Sequence, residues 1–118
     1  MFINEETIYD VRGLDTKQKE LAKAFIKGSV YAWLNCHNHG DEFSVRDLFG
    51  KDNADWTNTP LECIWEKNIK NSKNNDEAYE QSAKDVGWLL KAVLNEDTEY
   101  EFKKIKRRVN SYTGKKIN

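Results

Sequence analysis

No stretch of this sequence approaches the roughly 18 consecutive apolar residues that a membrane-spanning helix needs. Its first six residues, Met-Phe-Ile-Asn-Glu-Glu, place acids where a secretory leader requires positive charge followed by an apolar run. The expectation is a cytoplasmic protein with no membrane association. Cysteine is scarce. Cys36 and Cys63 are too few to staple a small secreted scaffold, so both are expected to be reduced and partly buried. Phosphate-cradling glycine loops, Gly-x-Ser-x-Gly elbows and Cys-x-x-Cys pairs are all missing, which removes the usual signatures of nucleotide hydrolysis, acyl transfer and structural zinc. There is also no Asn-Gly or Asp-Gly dipeptide to announce a tight hairpin.

What is present is enough for one core. A chain of 118 residues fits a single domain over 1–118. Aromatics form 12% of it, which argues against disorder. Each of Trp33, Trp56, Trp65 and Trp88 can bury about 200 Å², on the order of 5 kcal/mol at about 25 cal/mol per Å². Most of these rings are expected in the core.

Hydrophobic spacing organises the chain. Residues 1–13 read as an extended lead-in ending at Gly13. Asp15-Thr16-Lys17-Gln18 resembles a capping box, and Leu21, Ala22, Phe25, Ile26, Val30, Trp33 and Leu34 recur at helical spacing, predicting a helix over 16–37 closed by Gly40. Ser44-Val45-Arg46-Asp47 caps a short helix stopped by Gly50, after a brief strand at Phe43-Ser44-Val45. Thr59-Pro60-Leu61-Glu62 places Thr at the N-cap, Pro at the first helical position and Glu at the third, with Leu61, Ile64, Trp65 and Ile69 on one face. Asp76 then caps a helix over 77–94 carrying Tyr79, Ala83, Val86, Leu90 and Val93, with Gly87 tolerated for close helix packing. Residues 99–113 stay open between two forms. Thr98-Glu99-Tyr100-Glu101 looks like a capping box, and Phe102, Ile105, Val109 and Tyr112 fit a helical face, so local signals favour a helix. Against this, Glu99 to Lys103 alternates at period two. Residues 114–118 read as a flexible tail.

Few clusters suggest chemistry. The string His37-Asn38-His39 is not the nuclease motif of the same letters, whose residues lie far apart in sequence. Cys36, His37, His39 and Asp41 form one cluster without the second short-spaced pair that zinc prefers. Cys36 and His37 are adjacent, so on a helix they point apart. The pairs Glu62 with Glu66 and Glu77 near Glu80 are ordinary for charged helices. No catalytic residue, metal ligand or cofactor is assigned, and a non-enzymatic role is expected.

Charge, by contrast, is segregated. Residues 1–50 carry 6 basic and 8 acidic groups, 51–98 carry 6 and 10, and 99–118 carry 7 and 2, so a chain of net −1 ends in a segment of +5. Lys103, Lys104, Lys106, Arg107 and Arg108, followed by Lys115 and Lys116, suit phosphate contacts. The order of long helix, short strand at Phe43-Ser44-Val45, helix, loop, helix 77–94 and basic terminal element resembles winged-helix domains over residues 15–113. That resemblance implies an α+β fold, mainly α with a small β component. It also implies helix 77–94 as the recognition helix, with Gln81, Lys84, Trp88 and Lys91 facing DNA and the basic element on the backbone. The alternative fold is an all-α bundle with a basic C-terminal helix. The functional expectation is a DNA-binding protein, with a size and composition fitting a regulatory or accessory factor of a phage or mobile element. The alternative is an adaptor or inhibitor offering Asp52, Asp55, Glu62, Glu66, Asp76, Glu77 and Glu80 to a basic protein partner. Oligomeric state is not legible.

Overall fold

A computed structural model describes residues 1–36, 40–50 and 55–117. The elements run α1 (Thr16–Cys36), β1 (Phe43–Ser44), α2 (Val45–Phe49), α3 (Glu62–Asn71), α4 (Asn75–Glu96), β2 (Tyr100–Ile105) and β3 (Ser111–Lys116). The fold is mixed α+β: helices pack on a three-stranded antiparallel sheet of order β1-β3-β2. The all-α alternative is therefore overturned.

Local chemistry sets most boundaries. Gln18 N donates to Asp15 Oδ1 at 2.8 Å while Asp15 N donates to Gln18 Oε1 at 3.0 Å, so the capping box opens α1 as expected. Ser44 and Asp47 form the same reciprocal arrangement at α2, which ends at Gly50 with φ +96°. The expected closure of α1 at Gly40 adjoins residues 37–39, which lie outside the described residues, as does the His37-Asn38-His39 string. Two N-caps differ from expectation. The Thr59 hydroxyl donates to Trp56 O at 2.7 Å and accepts from Leu61 N, forming a turn, so α3 begins at Glu62 after Leu61. Asn74, not Asp76, caps α4, accepting from Glu77 N at 2.9 Å.

Residues 99–113 form a hairpin. The reason lies in Asp97, only 4% exposed. Its Oδ1 accepts from Glu99 N (2.7 Å) and Tyr100 N (2.9 Å), and its Oδ2 accepts from the Tyr31 hydroxyl (2.8 Å). Those bonds stop α4 and turn the chain into β2, so the Thr98–Glu101 capping box never acts. Period two then decides the burial: Tyr100 and Phe102 point inward, Glu101 and Lys103 outward. Gly114 sits in register opposite Phe102, whose ring covers it; an added Cβ would lie 2.6 Å from Phe102 Cε1. The expected tail at 114–118 is thus strand as far as Lys116.

The core gathers Ala22, Ile26 and Val30 from α1, Phe43 from β1, Leu61 and Ile64 around the start of α3, Val86, Leu90 and Leu94 from α4, and Phe102 and Tyr112 from the hairpin. The expected α4 stripe rotates. Tyr79 (49% exposed) and Ala83 face outward, whereas Ala78, Ser82, Asp85 and Leu89 face in. Leu21 and Ile69 are likewise exposed. None of the four tryptophans is fully buried. Trp33, Trp56 and Trp88 border the core, and Trp33 and Trp56 donate their indole N–H to Glu42 O and Phe49 O, a polar handle that favours the margin. Nothing lies within 4 Å of a Cβ built on Gly87, so close packing does not explain that glycine. Cys36 is exposed, contrary to expectation, while half-buried Cys63 donates to Pro60 O and burial pushes its thiol up.

The α3–α4 pair is locked by a buried polar cluster. Asp85 Oδ2 accepts from Lys67 Nζ at 2.7 Å and Asn68 Nδ2 at 2.9 Å, and Oδ1 accepts from Gln81 Nε2 at 3.0 Å. Asn68 also donates to Ser82 Oγ at 3.1 Å. The Lys67 stem lies against Gly13, where φ is +87° and a Cβ would come within 2.9 Å of Lys67 Cδ. The positive φ favours glycine there, and the flexible Lys67 stem would have to shift for any Cβ.

Two outcomes follow. Asp85→Ala strands Lys67 and Asn68 inside the helix pair and should lower the unfolding free energy by roughly 3–5 kcal/mol, read by urea denaturation. Burial pushes the Tyr112 phenol up to about 12, against about 10 in an unfolded chain. Its contribution to stability is present below about pH 10 and disappears as pH rises through the folded value. Melting temperature should fall between pH 10 and 12, less so in Tyr112→Phe; the slope stays partial because burial and the Asp97 hydrogen bond also raise Tyr31.

Candidate nucleic-acid interface

The hairpin presents its cations at two levels. Lys106, Arg107 and Arg108 occupy the connection between β2 and β3, all exposed. Lys115 and Lys116 lie at the base, opposite Glu101 and Tyr100, roughly 13 Å from the start of β3 at about 3.3 Å per residue. The basic segment is therefore not one continuous patch.

Carboxylates from distant segments reach some of these cations. Arg107 donates to Glu42 through Nη2 at 2.9 Å and Nε at 3.2 Å, a two-pronged pair that holds the Glu42 carboxyl below its ordinary value and raises the guanidinium. Both partners are exposed. Lys104 belongs to the inward face of β2 and lies 3.8 Å from Glu6 Oε1. By contrast, Lys103, Lys106 and Arg108 are exposed, and no ion pair joins them to a carboxylate among the described residues. Lys115 and Lys116 at the base of the hairpin and Lys84 on α4 are exposed in the same way.

The expected residues of α4 divide in the same way. Lys84 is exposed on the outward face. Gln81 is exposed but donates to Asp85, so its amide is engaged in the α3–α4 lock. Lys91 is 6% exposed: its Nζ lies 3.5 Å from Glu6 Oε1, donates to Thr7 O at 3.3 Å, and stands 5.1 Å over the Trp88 ring. Those contacts hold its ammonium toward the N-terminal segment, and Lys91 also lines the cleft beside Trp88. Trp88 is half-buried, held edge-on by Tyr9 at 4.5 Å between centroids.

Lys84 and Trp88 border one broad cleft with the hairpin tip. The cleft, about 1140 Å³, lies between the outward face of α4, the start of α2, the 55–57 turn and Val109-Asn110. Trp56, Trp65 and Tyr79 also line it, with the Trp65 and Tyr79 rings packed at a tilt of 35° and 4.7 Å between centroids. Sequence reasoning missed this grouping, because the rings come from three segments and Tyr79 fitted the core stripe by spacing. Among the described residues no group of three or more His, Cys, Asp or Glu is placed to hold a metal ion, and no helix is long and apolar enough to cross a membrane. No family model, curated protein or solved structure matches the chain.

Burial separates the inward lysines from the exposed ones. Lys91→Ala should cost roughly 1.5–3 kcal/mol through lost charged hydrogen bonding, while Lys103→Ala should stay within about 0.5 kcal/mol of the parent. Thermal melts of the two variants check the contrast.

Proposed function

We propose that the chain is a non-enzymatic, winged-helix-type nucleic-acid-binding protein whose hairpin contacts phosphates. The observation that carries this reading is the exposed cation set Lys103, Lys106 and Arg108 on a two-stranded hairpin that follows two helices joined by a short turn. Supporting it, α3 and α4 are joined by only three residues (72–74), and β1 closes a sheet of order β1-β3-β2 beside them. In such an architecture the second helix of the pair faces the nucleic acid and the hairpin tracks the backbone. Arg107 joins the phosphate set when an anion competes with Glu42 for its guanidinium.

A second reading has its own observation. Asp76, Glu77 and Glu80 are all exposed on the first turns of α4, and an acidic face of this kind suits a basic protein partner.

Gel-shift titrations over mixed single- and double-stranded DNA separate the two. Binding at about 50 mM salt should weaken steeply by about 200 mM, with a log–log slope near −3 for three to four phosphates. Lys106→Glu with Arg108→Glu should abolish it, and the exposed positions keep the melting temperature unchanged. Absence of binding to any DNA at the lower salt refutes the nucleic-acid reading and favours the protein partner.

A further inference from the structure

We infer that the nucleic acid is single-stranded, with its bases stacked in the aromatic cleft beside the hairpin. The inference rests on the nucleic-acid reading and adds strandedness to it.

Charge on α4 disfavours a duplex. A helix entering a major groove leads with its N-terminal turns, and here those turns carry Asp76, Glu77 and Glu80, all exposed. A rigid duplex fixes its phosphates on either side of the inserted helix and cannot draw them away from these carboxylates. A single strand can. It rotates freely about its backbone, so its phosphates can follow Lys84 and the hairpin cations while its bases turn toward the protein.

The cleft suits those bases. Trp56, Trp65, Tyr79 and Trp88 line it from the 55–57 turn, α3 and α4. The Trp56 N–H is already donated to Phe49 O, leaving its ring as an apolar surface. Tyr79 is 49% exposed although its ring packs at a tilt against Trp65. Stacking on an aromatic side chain contributes about 1–3 kcal/mol per base and tolerates any sequence, since every base has a π face. At about 1140 Å³ the cleft is at the upper end of the roughly 300–1,000 Å³ of small-molecule pockets, which leaves room for more than one base. Charges of both signs line it, with Arg46, Lys84 and Lys91 beside Asp55 and Asp76, and Lys106 to Arg108 precede the lining pair Val109-Asn110 and add cations next to it.

The test uses the full chain, intrinsic tryptophan emission, and two probes at about 50 mM salt: an oligothymidine of about 16 nucleotides and a mixed-sequence duplex of similar length. The oligothymidine should quench the emission and bind at least about tenfold tighter than the duplex. Tyr79→Ala, at a half-exposed position, should weaken single-strand binding by about tenfold with an unchanged melting curve. Lys84→Glu should weaken it as well, so that binding is lost at a lower salt concentration. Equal or tighter duplex binding, or single-strand binding indifferent to Tyr79→Ala, overturns the strandedness inference and leaves the nucleic-acid reading standing. If neither probe binds, both fall, and the cleft belongs to a protein partner.

Discussion

The Asp85 carboxylate is the interaction on which the arrangement of the molecule depends. It is 4% exposed and accepts hydrogen bonds from Lys67, from the equally buried Asn68 and from the exposed Gln81, so it ties α3 to α4 through a carboxylate with almost no access to solvent. Buried charge of this kind contributes little net stability, but its geometry tolerates one alignment of the two helices far better than others. That alignment sets Trp65 against Tyr79 and so shapes one wall of the cleft. It also reaches beyond the pair, since the Lys67 stem lies against Gly13 and fixes where the N-terminal segment crosses toward α1.

How far the sequence was legible depended on the range of the forces involved. Capping chemistry acts within four residues, and Asp15 with Gln18 and Ser44 with Asp47 were readable as pairs. Thr59 and Asp76 misled by a residue or two because neighbouring polar groups, the Trp56 carbonyl and the Asn74 side chain, offered competing bonds. The hairpin was legible only in its alternation. Of the bonds to Asp97 that turn the chain, those from Glu99 N and Tyr100 N are local, whereas the one from Tyr31 spans 66 residues and leaves no local trace. The α4 stripe was off for a related reason: a buried Asp and Ser satisfy each other's neighbourhood, so two polar residues occupy positions that spacing assigns to Tyr79 and Ala83.

The candidate site divides along the same line. Exposure at Lys103, Lys106 and Arg108 agrees with a basic run read from composition alone, whereas the fates of Lys91, Lys104 and Arg107 were set by Glu6 and Glu42, acids in segments far away in sequence. One carboxylate, Glu6, approaches both Lys91 and Lys104, and in doing so links α4 to the inner face of β2. The N-terminal segment therefore reduces the positive charge of the hairpin and at the same time fixes its position.

That segment has another effect, on the margin of the sheet. Strand β2 is outermost, and its base would otherwise offer bare peptide groups to any passing strand. Instead Phe102 N donates to Met1 O at 2.7 Å and Ile3 N donates to Phe102 O at 2.8 Å, closing the ladder at that point. On the opposite margin β1 is two residues long, too short to template a neighbour. What stays open on β2 is flanked by Lys103 and Lys104, whose like charges repel an incoming copy. A small three-stranded sheet is in this way kept from recruiting further chains into fibrils.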